Sequence, residues 1–327
     1  MKETFKGINS SLLSENISYI KCTYDIKDFN ETQIINFRGE EYINEEIEAK
    51  VKQFNGEKTE KLIFKKKFNK LGINVIYFII EDNLTNMSFM FNKCSSLTKV
   101  EFINFQAIKV INLCAIFQYC EELVYIDISS LNTSNVTDMG YMFNECHKLK
   151  EIKGINNFNT TNVLDMSAMF KECNELENLD LSNLILILPK FNLELMFYGC
   201  KKLKELKGIN KFATINVTNM KCMFQGCQES EYLDLSNFNT SKVTDMQILF
   251  GGCSKLKEIN GLDNFITNNV QNMRVMFGGC HELEYLNLSS FNTSNVTDMM
   301  GMFLECFKLK EIKGINNFNT INVNNII

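Results

Sequence analysis

Phe291-Asn292-Thr293-Ser294-Asn295-Val296-Thr297-Asp298-Met299-Met300-Gly301-Met302-Phe303-Leu304-Glu305-Cys306 carries the phrase on which the fold turns. Its second half, Met-x-x-Met-Phe-x-x-Cys with conservative swaps, occurs nine times between Met87 and Cys306, at intervals of 26 or 27 residues. A self-similar period of that length marks a solenoid, in which each unit buries its apolar side only against the units before and after it. The repeat fills about three quarters of the 327 residues and accounts for the unusual content of 16 Met and 27 Phe.

Within one unit, Met139, Met142, Phe143 and Cys146 stand at i, i+3, i+4 and i+7, the apolar stripe of an α-helix of about two turns. Thr137 fits as its N-cap, and Asp138 suits the positive end of the helix dipole. Six residues after each Cys comes an apolar residue, from Val100, Ile126 and Ile152 through to Ile312, which predicts a short strand stacking in parallel on the next. The expected fold is therefore an α/β repeat solenoid, one short parallel strand and one short helix per coil. Packed helices lie about 8–10 Å apart and paired strands about 4.8 Å, so the strand side is expected to be concave.

A second rhythm overlies the first. Two residues after Cys the column reads Glu122, Lys148, Glu175, Lys202, Glu229, Lys255, Glu282, Lys308, and two residues further on Lys150, Glu177, Lys204, Glu231, Lys257, Glu284, Lys310. Parallel in-register stacking sets such residues side by side, where opposite signs help and like signs hurt. The true unit is thus a two-coil module. The alternation neutralises that face, and with a net charge of -5 it argues against a nucleic-acid groove.

Residues 1–82 lack the repeat and are expected to form a β-rich N-terminal cap, with strands at 17–26, 33–37, 47–54 and 61–68 and a hairpin turn at Asn55-Gly56. Residues 83–327 are expected to form nine coils plus a C-terminal half-coil. That half-coil reads as a lid, a cut end, or a surface for end-to-end self-association. One coil departs from the rule: after Cys173 it carries Leu184-Ile185-Leu186-Ile187-Leu188 followed by the single Pro, Pro189. The apolar run is a candidate docking patch, against the alternative of a drifted, buried bulge.

Little in the chain points to chemistry. Each repeat Cys falls on the buried stripe, where a packed thiol is the ordinary role; zinc needs four converging ligands, which single cysteines 26 or 27 residues apart do not supply, although Cys222 and Cys227 lie within one expected helix. His147 and His281 each follow a repeat Cys, but neighbouring residues on a helix point apart. No phosphate loop, nucleophile elbow or H-E-x-x-H occurs. No catalytic residue, cofactor or metal is expected. The better candidates for contact stand on the strand face, five residues after Cys, where Tyr125, Tyr232 and Tyr285 offer area with a polar tip. Packing over adjacent Lys and Glu stems is the competing role for these rings.

The phrase Phe291 to Met299 with Met302-Phe303 closely resembles the 26-residue surface-protein repeat family, BspA-like solenoids of the leucine-rich-repeat type known from mycoplasma lipoproteins, other bacterial surface proteins and AT-rich unicellular eukaryotes. The resemblance runs from Leu84 to the end. It implies a right-handed leucine-rich-repeat-like solenoid used for binding or adhesion, with no catalytic residues. Residues 1–20 lack the continuous apolar stretch of a secretory signal, and no segment is apolar enough to span a bilayer. The expectation is a cytoplasmic, non-enzymatic scaffold for an unidentified protein partner. The alternative is a cell-surface adhesin, exported without a recognisable signal, and a thiol-based metal or redox protein is the remote third reading.

Overall fold

The structure is a computed structural model and describes residues 17–36, 44–54, 59–105, 109–184 and 191–324. The solenoid is present, but its coils are not built as expected. Among the described residues the α-helix is confined to Glu45–Lys50, outside the repeat. The protein is a β-solenoid of about eight turns, and the α/β expectation does not hold.

The segment expected to be helical shows why. Tyr141 and Glu145 have φ of 57° and 62°, and a positive φ recurs at the same two places in every coil. The N–H groups of Met139, Tyr141, Phe143 and Glu145 donate to Asp165, Ser167, Met169 and Lys171 of the next coil at 2.8–2.9 Å. Those of Asn144 and Cys146 bond three residues back, to the carbonyls of Tyr141 and Phe143. The chain is a spiral of four-residue turns, half of whose donors tie one coil to the next. Four-residue turns bury positions 0, 3, 4 and 7 just as a helix does, so Met139, Met142, Phe143 and Cys146 are all fully buried. Glycine marked the difference: Gly252 and Gly279, at φ 72° and 77°, stand directly before their Cys, in what would be a helix interior.

Asp138 is likewise not at a helix N-terminus. Its Oδ1 accepts the N–H of Gly140 at 2.9 Å, closing an Asx turn, and Asn86, Asn112, Asp165, Asn192, Asn219, Asp245, Asn272 and Asp298 do the same in their coils. The same residues pair coil to coil as parallel bridges, running the length of the rod. Thr137 Oγ1 donates to the Ile111 carbonyl of the preceding coil rather than capping a helix.

Inside, the Phe column forms one stack. Phe91, Phe117, Phe143, Phe170, Phe197, Phe224, Phe250, Phe277 and Phe303 follow at centroid spacings of 5.5–5.9 Å, their ring planes nearly parallel. Beside it, each Cys from Cys120 to Cys306 donates its S–H to the Phe carbonyl of the preceding coil at 3.0–3.3 Å. A small residue with a weak donor fills that position.

The N-terminal region comprises β1 (Ser18–Ile26), β2 (Glu31–Gln33), α1 (Glu45–Lys50), β3 (Val51–Phe54), β4 (Thr59–Glu60), β5 (Lys65–Lys67) and β6 (Gly72–Ile80). The stretch 47–54 is half helix, because Glu45, Glu46 and Glu48 supply an acidic first turn. Asn55-Gly56 lies outside the described residues. In the repeat follow β7 (Leu97–Ile103), β8 (Tyr125–Asp127), β9 (Glu151–Lys153), β10 (Asn178–Asp180), β11 (Phe191–Asn192), β12 (Glu205–Lys207), β13 (Val217–Asn219), β14 (Tyr232–Asp234), β15 (Glu258–Asn260), β16 (Tyr285–Asn287) and β17 (Glu311–Lys313). Strand β1 lies antiparallel between β6 and β7, so the sheet runs β4-β3-β6-β1-β7-β8-β9.

Two asparagines finish the first coil. Every later coil offers its ladder carbonyls to the coil before it, which would leave those of Asn86, Ser88, Met90 and Asn92 without donors. Asn44 Nδ2 serves Asn86 and Ser88 at 3.0 and 3.1 Å, and Asn36 serves Met90 through its N–H and Asn92 through Nδ2, at 2.7 and 2.9 Å.

The two-coil module is visible in the sheet. Beyond β9 the strands that follow each repeat Cys pair only within modules, β10 with β12, β14 with β15 and β16 with β17, while β11 with β13 and the Asn and Asp bridges continue the other ladder across the junctions. Each Lys reaches back to the Glu of its own module: Lys148–Glu122, Lys202–Glu175, Lys255–Glu229 and Lys308–Glu282 at 2.6–2.7 Å, with Lys204–Glu177, Lys257–Glu231 and Lys310–Glu284 at 2.6–2.9 Å. With no helix layer among the described residues to spread one side, and with the strand side open between modules, the expectation of a concave strand face loses its basis.

Candidate interaction surface

The strand side carries the candidate contact residues. Tyr125, Tyr232 and Tyr285 open β8, β14 and β16, each in register with a Glu of the next coil, Glu151, Glu258 and Glu311. Tyr232 and Tyr285 are 49% and 45% exposed. Tyr125 is half-buried, with Lys99 Nζ 4.7 Å from its ring centre. The sheet face displays the rings singly, separated by carboxylates, and does not bring them together. Leu184 is buried in the core at 1% exposure; Ile185, Leu186, Ile187 and Leu188 lie outside the described residues.

The sulfur and imidazole groups stand apart. Burial pushes the ladder thiols up, Cys200 and Cys253 to about 12, which keeps them protonated and poorly nucleophilic at neutral pH. Cys222 occupies a positive-φ turn position and is also raised, to about 11, chiefly by burial. No cluster of metal-ligating side chains occurs among the described residues. His147 lies beside the carbonyl of Glu172 at 3.1 Å and the carboxylate of Glu145 at 3.4 Å, while Cys146 directs its S–H to Phe117. His281 sits against the ring of Phe307, at 5.1 Å.

One feature of this face has no counterpart in the sequence expectations. Where β9 should pair with β10, no ladder forms, and a cleft of about 550 Å³ opens between the modules. Its floor is Ile152, Ile155 and Leu179; charged side chains of both signs from β9, β10 and the neighbouring β12 line its rim. The register shows Glu151 and Lys153 bonding back to β8, and Leu179 bonding on to β12. The backbone groups of Ile152, on one wall, and of Asn178 and Asp180, on the other, therefore face the cleft. A sequence sign existed in Val124: it stands where the later modules have Glu, so Lys150 has no carboxylate behind it.

No helix among the described residues is long and apolar enough to cross a membrane. No match was found among curated proteins. Among solved structures the chain is similar to the crystal structure of a TLR13–ssRNA13 complex, at 15% identity and a TM-score of 0.26, a likeness too slight to carry an argument. The match covers 67% of this chain and 38% of that one, so the chain spans well under half of that neighbour's length. A family model described as "Mycoplasma protein of unknown function, DUF285" matches residues 82–186, 191–260 and 254–327, most of the chain and all nine of its Met-to-Cys motifs. With its Met, Phe and Cys columns stacked in register through those same residues, the protein belongs to the DUF285 family.

Proposed function

We propose that the protein is a non-enzymatic scaffold that docks a protein partner on the strand side of its rod. The observation that carries this reading is the pair of half-exposed tyrosines, Tyr232 and Tyr285, held on short strands whose neighbours fix their position. Rigid aromatic groups with a polar tip give contact area at small entropic cost. The same proposal divides the chain at residue 82, into a β-rich cap and a nine-coil solenoid with a half-coil. The place of β1 between β6 and β7 supports the cap, because it covers the strand edge of the first coil.

The BspA-like resemblance supports a second reading, a cell-surface adhesin. Cytoplasmic residence is favoured here by the twelve free cysteines, eleven of them in or beside the ladder core rather than paired. Affinity capture from the source cell with the intact chain, and with Tyr232→Ala and Tyr285→Ala, tests the docking face. Loss of the captured protein in the double variant is expected; unchanged capture would remove the tyrosine face. Labelling of intact cells decides location, since a labelled or glycosylated population would establish the adhesin.

A further inference from the structure

The rod contains three junctions between modules, and they are not equivalent. At the junction of β12 with β14, the Glu229 N–H donates to the Lys201 carbonyl at 3.1 Å, and Asn210 Nδ2 reaches Asp234 Oδ2 at 2.7 Å. At that of β15 with β16, Glu282 donates to the Ser254 carbonyl at 3.2 Å, and Asn287 Nδ2 reaches Asp263 Oδ2 at 3.4 Å. Each is tied at its root and at its rim. The first junction, β9 with β10, has neither the backbone bond nor the Asn–Asp bond: at its root only the His147 Nδ1 meets the Asn174 side-chain amide, at 3.1 Å, and Asn156 and Asp180 stand at the rim like Asn210 and Asp234 without bonding. That is where the 550 Å³ cleft lies, within the size range of about 300–1,000 Å³ typical of ligand sites.

Lys150 also lacks there the direct ion pair of its counterparts, although its charge acts across the junction on Glu177, which is bonded to Lys204. Lys204, Lys257 and Lys310 each bond the Glu four residues after the preceding Cys, but Lys150 meets Val124 and makes no ion pair with a described residue. We propose that the cleft between β9 and β10 receives an extended segment of the partner protein that carries a carboxylate two residues before an apolar side chain, added as a β-strand. This deepens the scaffold reading and rests on it. The facing backbone groups of Ile152, Asn178 and Asp180 supply main-chain hydrogen bonds. Lys150 takes a carboxylate, and the floor of Ile152 and Leu179 takes an apolar side chain two residues later. Glu-x-Leu is the spacing by which this chain itself lays Glu284 and Leu286 beside Lys310 and Ile312.

The probe is a labelled, end-blocked peptide Glu-Leu-Glu-Tyr-Leu-Asn-Leu, the sequence of residues 282–288, titrated into the intact protein by fluorescence anisotropy. Saturable binding is expected, weakened about tenfold or more by Lys150→Glu and regained when the peptide carries Glu284→Lys. Lys150 is exposed, so its variant keeps the fold. A photoreactive group at the Leu286 position should attach to residues 150–156 or 178–180. Failure to saturate below about 1 mM, indifference to Lys150→Glu, or attachment at another junction would each overturn the proposal. The tyrosine capture experiment uses no peptide and no Lys150 variant, so either reading can fail without the other.

Discussion

Replacing Gly252 by Ala separates the turn spiral from the helix that its sequence suggests, because the two structures require opposite signs. In a helix interior Ala is favoured over Gly by about 1 kcal/mol. Here Gly252 has φ of 72°, where an L side chain costs about 1–2 kcal/mol. Space is not the issue, since a Cβ at Gly252 meets nothing closer than 3.7 Å, from the backbone of Gly226. Glu172 holds the same position three coils earlier at φ of 59°, so the strain is bearable and the variant folds. The expected outcome is a loss of about 1–2 kcal/mol, read as a lower urea midpoint at unchanged slope by far-ultraviolet circular dichroism. A higher midpoint would refute the turn spiral and restore the helix.

Asn44→Asp turns two donors into an acceptor facing the buried carbonyls of Asn86 and Ser88; a loss of at least about 2 kcal/mol is expected, with hydrogen exchange accelerating first in the coil of Met87 to Cys94. Phe197→Ala removes a ring stacked on both sides, on Phe170 at 5.7 Å and Phe224 at 5.6 Å, and should cost about 3–5 kcal/mol in urea denaturation. Phe303, stacked on one side only, at 5.8 Å on Phe277, and partly open to solvent, should cost clearly less on truncation to Ala; equal losses would contradict a continuous stack. Burial raises Cys200 and Cys253 from 9.0 to about 12, so the unfolded chain ionises first. Stability should therefore be full below about pH 9 and fall as pH rises toward 12, with the urea midpoint at pH 10 below that at pH 8. In the native protein at pH 8 the ladder thiols should resist a thiol reagent until denaturant is added, and rapid titration of all of them would revive the redox reading.

The sequence displayed the solenoid more clearly than the geometry of its coil. The Lys and Glu columns gave the register and the two-coil module because a parallel stack makes every position a neighbour of its own copy, and charge alternation is then directly legible. The expected helix failed at Met139 to Cys146 because burial at positions 0, 3, 4 and 7 satisfies two backbones. Only the choice between bonding along the chain and bonding to the next coil distinguishes them. Glycine before cysteine, as in Phe250-Gly251-Gly252-Cys253, was the signal that pointed the other way.

Composition and period by themselves determined that this chain is a rod of stacked units with a sulfur- and ring-filled interior. A unit of 26 or 27 residues has too little apolar surface to fold alone, and repetition makes its neighbour the natural cover. Tertiary structure alone decided what the ends and junctions do. Asn36 and Asn44 close the first coil from 42 to 56 residues away in sequence, and one of three similar junctions lacks the backbone and Asn–Asp bonds of the other two and is open. Local pattern marks only Val124 where later modules have Glu; the rest depends on where distant groups meet and on which hydrogen bonds remain unmade once the coils are stacked.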